Sequence, residues 1–261
     1  ELATDSASDY TVRAFIDGLE PGKHYYYRFL GGNGSVSGTG RTMTARPLDD
    51  NRPVNIAFAS CQSYEQGYYG SWARMIEDDQ AATPEDQLDF ILHLGDFIYE
   101  RSWLKRLDGT DQSRYVPDFP DGERNEQNRH AVSLADYRHL YRTYLSDPYL
   151  QAARARWPFL CTWDDHEFSN DCFQSYSTYD DEPVFEPQRK LDANQAWFEF
   201  IPAVLSDGSG SPALDFSPAD RPPEAPDASS AARGRLGGSR RLGGGATGGV
   251  WVRESRSERG G

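Results

Sequence analysis

Lysine, cysteine, methionine and histidine are all scarce in this chain. Of 27 basic residues only Lys23, Lys105 and Lys190 are lysine, a skew that fits GC-rich coding DNA and carries no mechanistic content. Three cysteines, Cys61, Cys161 and Cys172, are too few and too scattered for a disulfide scaffold, although one Cys161–Cys172 bridge stays open for a secreted protein. No run approaches ~18 uninterrupted apolar residues, which excludes a membrane-spanning helix. A basic-apolar leader is missing as well, and the first residue is Glu1 rather than methionine, so the start reads as a processing site or a cut. Positive charge is in deficit: 27 basic residues face 41 acidic ones, for a net charge of -14. Nucleic acid is therefore not an expected partner, because phosphate binding needs the opposite sign. At 261 residues the chain is long enough for one domain with a real core, with room for a small second piece.

Three regions follow from the patterning. Residues 1–46 read as β-structure: Val12, Ala14 and Ile16 alternate with Arg13 and Phe15, and Tyr25-Tyr26-Tyr27-Arg28-Phe29 is rich in β-formers. The spacing Leu19-x-Pro21-x-x-x-Tyr25 resembles the tyrosine corner of an immunoglobulin or fibronectin type III sandwich, but about three strands fall short of the ~7 that fold needs. A plain hairpin is the alternative. Residues 53–205 alternate buried strands (54–59, 88–94, 158–163) with helical spacings (68–80, 133–156, 188–200), which is an α/β pattern. Ser133 is a good N-cap for the helical stretch at 133–156. Residues 206–261 hold 12 of the 24 glycines and show neither a period of 2 nor one of 3.6, so this segment is expected to be disordered.

Chemistry concentrates where the three buried strands end. The first ends at Cys61, the second at Asp96 with Tyr99 close behind, and the third at Asp164-Asp165-His166-Glu167. Carboxyl ends of strands in α/β sheets line the ligand crevice, so the three clusters are expected to converge. Each alone is ambiguous. Asp96 offers a hard oxygen able to bridge two cations, or it caps a turn. Cys61 offers a thiolate ligand, or it is an inert buried thiol. Tyr99 could return beside Asp96 through a short turn, or simply pack. Four adjacent ionisable residues after an apolar strand are expensive to bury unless a metal or proton chemistry uses them; the alternative is a solvated loop.

Taken together the motifs resemble the PhoD-like branch of the calcineurin-type metallophosphoesterases. The resemblance lies in Ala59-Ser60-Cys61-Gln62, His93-Leu94-Gly95-Asp96-Phe97-Ile98-Tyr99-Glu100, Thr162-Trp163-Asp164-Asp165-His166-Glu167 and Ala193-Asn194-Gln195-Ala196-Trp197-Phe198. It spans roughly residues 10–203. It implies a layered α/β/β/α sheet domain preceded by a partial β-sandwich, and an exported (periplasmic or extracellular) enzyme that hydrolyses phosphate mono- or diesters. It also implies a centre of ferric iron with calcium. In that frame Asp96 bridges the metals, Cys61 and Tyr99 bind iron, Asp165 binds the second metal, and His166 sits beside the phosphate; Asn170 is a weaker ligand candidate.

The resemblance fades toward the end of the chain. Family members carry further histidine and aspartate ligands after later strands, whereas the histidines here are His24, His93, His130, His139 and His166, with none beyond. We read 206–261 as a reading-frame slip or truncation product in preference to a natural low-complexity tail, with the second half of the sheet incomplete and activity of the chain alone impaired. Two alternatives stand beside this: a competent hydrolase completed by the tail or by another chain, and a non-catalytic binding module.

Overall fold

The computed structural model describes residues 2–103, 110–111, 114–122, 128–179, 182–203, 205–206 and 212–213. At its centre lies a three-stranded parallel sheet of β3 (Ile56–Ala59), β4 (Phe90–His93) and β7 (Phe159–Cys161), with β4 in the middle. Around it run β1 (His24–Tyr27), β2 (Gly40–Met43), α1 (Gly70–Ala81), β5 (Arg101–Trp103), β6 (Asn128–His130), α2 (Leu134–Leu145), α3 (Pro148–Arg156), β8 (Tyr176–Ser177), β9 (Val184–Phe185) and α4 (Pro187–Phe200). Short parallel strands joined by helices are the mixed α/β arrangement expected from the sequence. No helix among the described residues is long and apolar enough to cross a membrane.

Register decides what the sheet does. Ala59, His93 and Cys161 are paired neighbours, so all three strands stop at the same edge. Alternation then sends Ala57, Ile91, Phe159, His93 and Cys161 to one face, where they meet the aromatic core. The opposite face is open at β3, where Ile56 and Phe58 are exposed. A second sheet of comparable size, as the α/β/β/α expectation requires, is not among the described residues.

The helices form where sequence predicts them, with one correction. The stretch 133–156 is two helices, not one. Ser133 caps α2 by accepting from the Asp136 amide, and Tyr137, Leu140, Tyr141 and Tyr144 bury one face completely. Each such side chain removed from water contributes on the order of 1.5–3 kcal/mol. The chain then breaks because Asp147 caps a new helix, accepting from the Tyr149 and Leu150 amides, while Pro148 occupies its first turn.

The N-terminal piece is also simpler than expected. Its regular structure is a short 3-10 turn at Ser6–Ser8 and the antiparallel pair β1–β2, extended by an isolated bridge between Leu30 and Val36, and residues 11–17 form no strand. Arg13 instead reaches across to the Ile201 and Ala203 carbonyls, so this segment is held by its side chain and not by a ladder. The Tyr25 hydroxyl does accept from the Glu20 amide at 2.8 Å, the local bond a tyrosine corner makes. Arg46 grips Asp89 through two bonds of 2.8 and 2.9 Å, tying the linker to the start of β4. All three cysteines are free, so the Cys161–Cys172 bridge does not form. Beyond residue 205 only Ser206, Pro212 and Ala213 are described, in the two-residue pair β10 (Leu205–Ser206) and β11 (Pro212–Ala213). The disorder expected for the rest of 206–261 lies outside the described residues.

One core residue is mismatched to its surroundings. His93 is fully buried, packs on Phe97, and neither ring nitrogen has a hydrogen-bond partner among the described residues. Burial lowers its pKa from 6.5 to about 4. Between those values the unfolded chain binds a proton that the folded chain refuses, so stability falls as pH drops through that window and levels off below it. The window corresponds to ~3 kcal/mol. Urea denaturation of His93→Leu is expected to show an acid-side loss smaller than wild type by about that amount; parallel pH profiles would contradict the assignment.

Candidate metal centre

The strand-end loops turn sharply and lock together. Cys61 (φ 57°), Gly95 (φ 105°) and Asp96 (φ 52°) all lie in the left-handed region. Only at Gly95 does the turn require glycine for space: a Cβ there would sit 2.5 Å from the Asp164 backbone nitrogen. That close approach brings the β7 loop against the β4 loop. The β3 loop joins them through the Cys61 and Gln62 amides, which donate to the Gly95 and Asp96 carbonyls at 3.3 and 3.2 Å. A left-handed cysteine or aspartate costs about 1–2 kcal/mol, so the surrounding bonds must hold it in place.

This locking gathers every predicted site residue. The Tyr99 hydroxyl donates to Asp96 Oδ2 at 3.2 Å, and Cys61 lies beside both Asp96 and Tyr99, close enough to influence their titration. Ligand atoms of Asp96, Asp165 and His166 all fall within 4.8 Å of one another. The Tyr99 and His166 rings lie 4.2 Å apart at 35°. Cys61 is exposed, not an inert core thiol; that description fits Cys161, whose pKa burial pushes up to about 12. Asn170 contributes its backbone to the site's support, and its amide side chain bonds Asp171.

The electrostatics are those of crowded acids. Burial raises the Asp96 pKa, and the charges of Asp165 and Asp164 add to the rise, while His166 and Cys61 oppose it. Asp96 Oδ1 is buried with no hydrogen-bond partner among the described residues. Burial also raises the Tyr99 phenol, helped by Asp96 and Cys61. At His166 burial works against the charged ring, but the Glu100 hydrogen bond and the Glu100, Asp165 and Asp96 charges prevail, and the pKa is pushed up to about 9.

Two residues with no role assigned from sequence support the cluster. Glu167 is buried and accepts from the Asp96, Phe97 and Asp164 amides at 3.1, 2.5 and 2.6 Å. Tyr144, reaching in from α2, accepts from the Tyr99 amide at 3.1 Å. The signal for Glu167 was its place in an acidic run after an apolar strand. Tyr144 offered none beyond helical spacing.

Residues 56–214 match the family model described as PhoD-like phosphatase, and residues 1–46 match PhoD-like phosphatase, N-terminal domain. Alkaline phosphatase D of Bacillus subtilis (strain 168) is 34% identical over 207 residues, covering 79% of this chain and 32% of that protein. The solved structure titled "Structure of PhoD" superimposes with a TM-score of 0.64 at 32% identity, covering 81% of this chain and 37% of the other. The chain thus spans only 32% of the length of the curated relative it matches.

The loop-locking has a direct test. Both Glu167 oxygens face backbone N–H groups, and Glu167→Gln puts an NH₂ group in place of one of them, so at least one backbone N–H meets another donor. Urea denaturation is expected to show a loss of ~1–3 kcal/mol. A variant as stable as wild type would mean that these three bonds do not hold the loops.

Proposed function

The chain belongs to the PhoD-like phosphatase family, a hydrolase family by its alkaline phosphatase D relative, and from that premise we propose that the strand-end cluster is a metal centre for hydrolysing phosphate mono- and diesters. The observation that carries the reading is the gathering of Cys61, Asp96, Tyr99, Asp165 and His166, drawn from three separate strand ends.

The residues fit a bound cation. Asp96 Oδ1 is buried and unpartnered among the described residues, beside a second carboxylate that disfavours its charge. A cation relieves both penalties. Thiolate and phenolate are established iron donors, and carboxylate oxygens suit calcium. The family resemblance implies ferric iron with calcium, and on that reading Cys61 and Tyr99 would hold the iron, Asp165 the calcium, and Asp96 would serve both. When bound, such a cation pair supplies a strong nucleophile at moderate pH and neutralises the phosphoryl oxygens.

The chain's own side chains then orient the reaction. His166 lies over the Tyr99 ring with Nδ1 bonded to Glu100, so its other nitrogen is the one left to meet a phosphoryl or leaving-group oxygen. Asp165 keeps its direction by accepting from the His166 and Asp171 amides at 3.0 and 2.5 Å. Residues 1–46 form the attached N-terminal module and residues 53–205 carry the centre. An exported location, periplasmic or extracellular, accompanies this reading. Because this sequence has no histidine after His166, turnover by the 261-residue chain alone is expected to be weak.

The test uses the purified chain, supplied with ferric iron and calcium, and a chromogenic phosphodiester. Slow hydrolysis above the buffer background is expected. Chelation or Asp96→Asn should abolish it, with Asp96→Asn also removing stoichiometric metal uptake. Hydrolysis indifferent to both, or metal uptake unchanged in Asp96→Asn, would contradict the proposal.

A further inference from the structure

We propose that Arg101, with Tyr179 and Trp103, forms a second oxyanion site flanking the strand-end centre, one for a phosphate group that is not being cleaved, an inference that rests on the phosphoesterase reading above. Pairing of β5 with β6 sets Arg101 opposite His130 and Ser102 opposite Arg129. Ser102 and Arg129 turn inward, where both are buried and bond each other at 3.0 Å. Alternation sends Arg101, Trp103 and His130 to the other face, where all three are half-buried. Tyr179 packs on that face. The Arg101 guanidinium carbon lies 4.2 Å from the centre of its ring and 5.1 Å from that of Trp103, and the His130 ring lies 4.4 Å from Tyr179.

Arg101 is a donor without an acceptor. Its Nε is buried and unbonded, and its guanidinium makes no ion pair among the described residues. The other half-buried or buried arginines among the described residues each hold a carboxylate or a backbone carbonyl. Burial weighs most against the Arg101 charge and Arg189 adds to that; Glu100 offsets part of it, but both Glu100 oxygens are already engaged, with His166 Nδ1 and the Asn170 amide. The Tyr179 hydroxyl is also buried with no partner among the described residues. A guanidinium held by its faces between aromatic rings keeps its N–H edge for an acceptor with two oxygens, and phosphate is one. The face adjoins the centre: Arg101 follows Glu100, and Tyr179 follows Thr178, whose hydroxyl donates to the Asn170 carbonyl at 2.7 Å. A second phosphate on the substrate and free inorganic phosphate share the required chemistry.

The metal-free 261-residue chain isolates this site, because the carboxylates of the centre repel anions when no cation is bound. Inorganic phosphate is titrated in at constant ionic strength and followed through the nitrogen-15 resonance of the Arg101 Nε–H, identified by its loss in Arg101→Met. A saturable shift is expected in wild type. Arg101→Met loses no ion pair and is expected to fold, with phosphate affinity by calorimetry lowered about tenfold or more. An unmoved resonance, an equal response to chloride, or unchanged phosphate affinity in folded Arg101→Met would overturn the proposal. Should Arg101→Met fail to fold, Arg101→Lys takes its place: it keeps the charge and loses the fork, so weaker phosphate binding is expected and unchanged affinity is equally fatal.

Kinetics of the chain supplied with ferric iron and calcium tell the two sources apart. A chromogenic phosphodiester with one phosphate is compared with one that carries a second phosphodiester group beyond the scissile bond. If the site holds the substrate, Arg101→Met raises KM for the second ester about tenfold more than for the first. Equal changes in KM, together with weaker inhibition by added phosphate, would assign the site to free phosphate. Equal changes with inhibition as strong as in wild type would overturn the inference. An inert wild-type chain would count against the phosphoesterase reading alone, and the metal-free titration would then decide this proposal by itself.

Discussion

The site depends on a buried carboxylate that binds no ligand. Glu167 takes two amides from the turn after β4 and one from the turn after β7, and so fixes the distance between the loop carrying Asp96 and the loop carrying Asp165. Parallel strands ending in register bring the loops near each other, but only near. The missing side chain at Gly95 permits the final approach, and Glu167 holds it. Left-handed backbone at Cys61 and Asp96 is the strain this arrangement sustains.

A second layer of contacts sets orientation and charge. Tyr144 anchors the Tyr99 backbone from α2, and Glu100 anchors the His166 ring. The acids at the centre remain mutually unfavourable, with one oxygen of Asp96 buried and unpartnered among the described residues. An apolar core would not sustain such crowding for stability alone. Cation binding gives the physical reason for it, and the iron and calcium assignment proposed above is the one the family resemblance implies.

Much of this was legible in the sequence wherever the pattern was local. Each buried strand showed itself as an apolar run that stopped at a polar cluster, and a parallel sheet turns such stops into neighbours. Where a side chain's role comes from remote backbone groups, the sequence was silent. Glu100 matters because of the Asn170 amide, and Glu167 because of amides some 70 residues away. The break between α2 and α3 was written in Asp147-Pro148, yet the apolar spacing on both sides masked it. The alternation at Val12, Ala14 and Ile16 misled in the opposite sense: Arg13 docks on the end of α4, and no neighbouring strand exists for that segment to pair with among the described residues. The antiparallel pair of β5 and β6 was invisible because three-residue strands carry no period.

The central claim is that Cys61, Asp96 and Tyr99 share one bound iron. X-ray absorption at the iron edge of the iron-loaded chain tests it most directly. The account predicts a sulfur neighbour among oxygen and nitrogen ligands, with the sulfur lost when Cys61 is replaced by serine. An all-oxygen-and-nitrogen shell in the unaltered chain, or a sulfur that persists after that replacement, would contradict it.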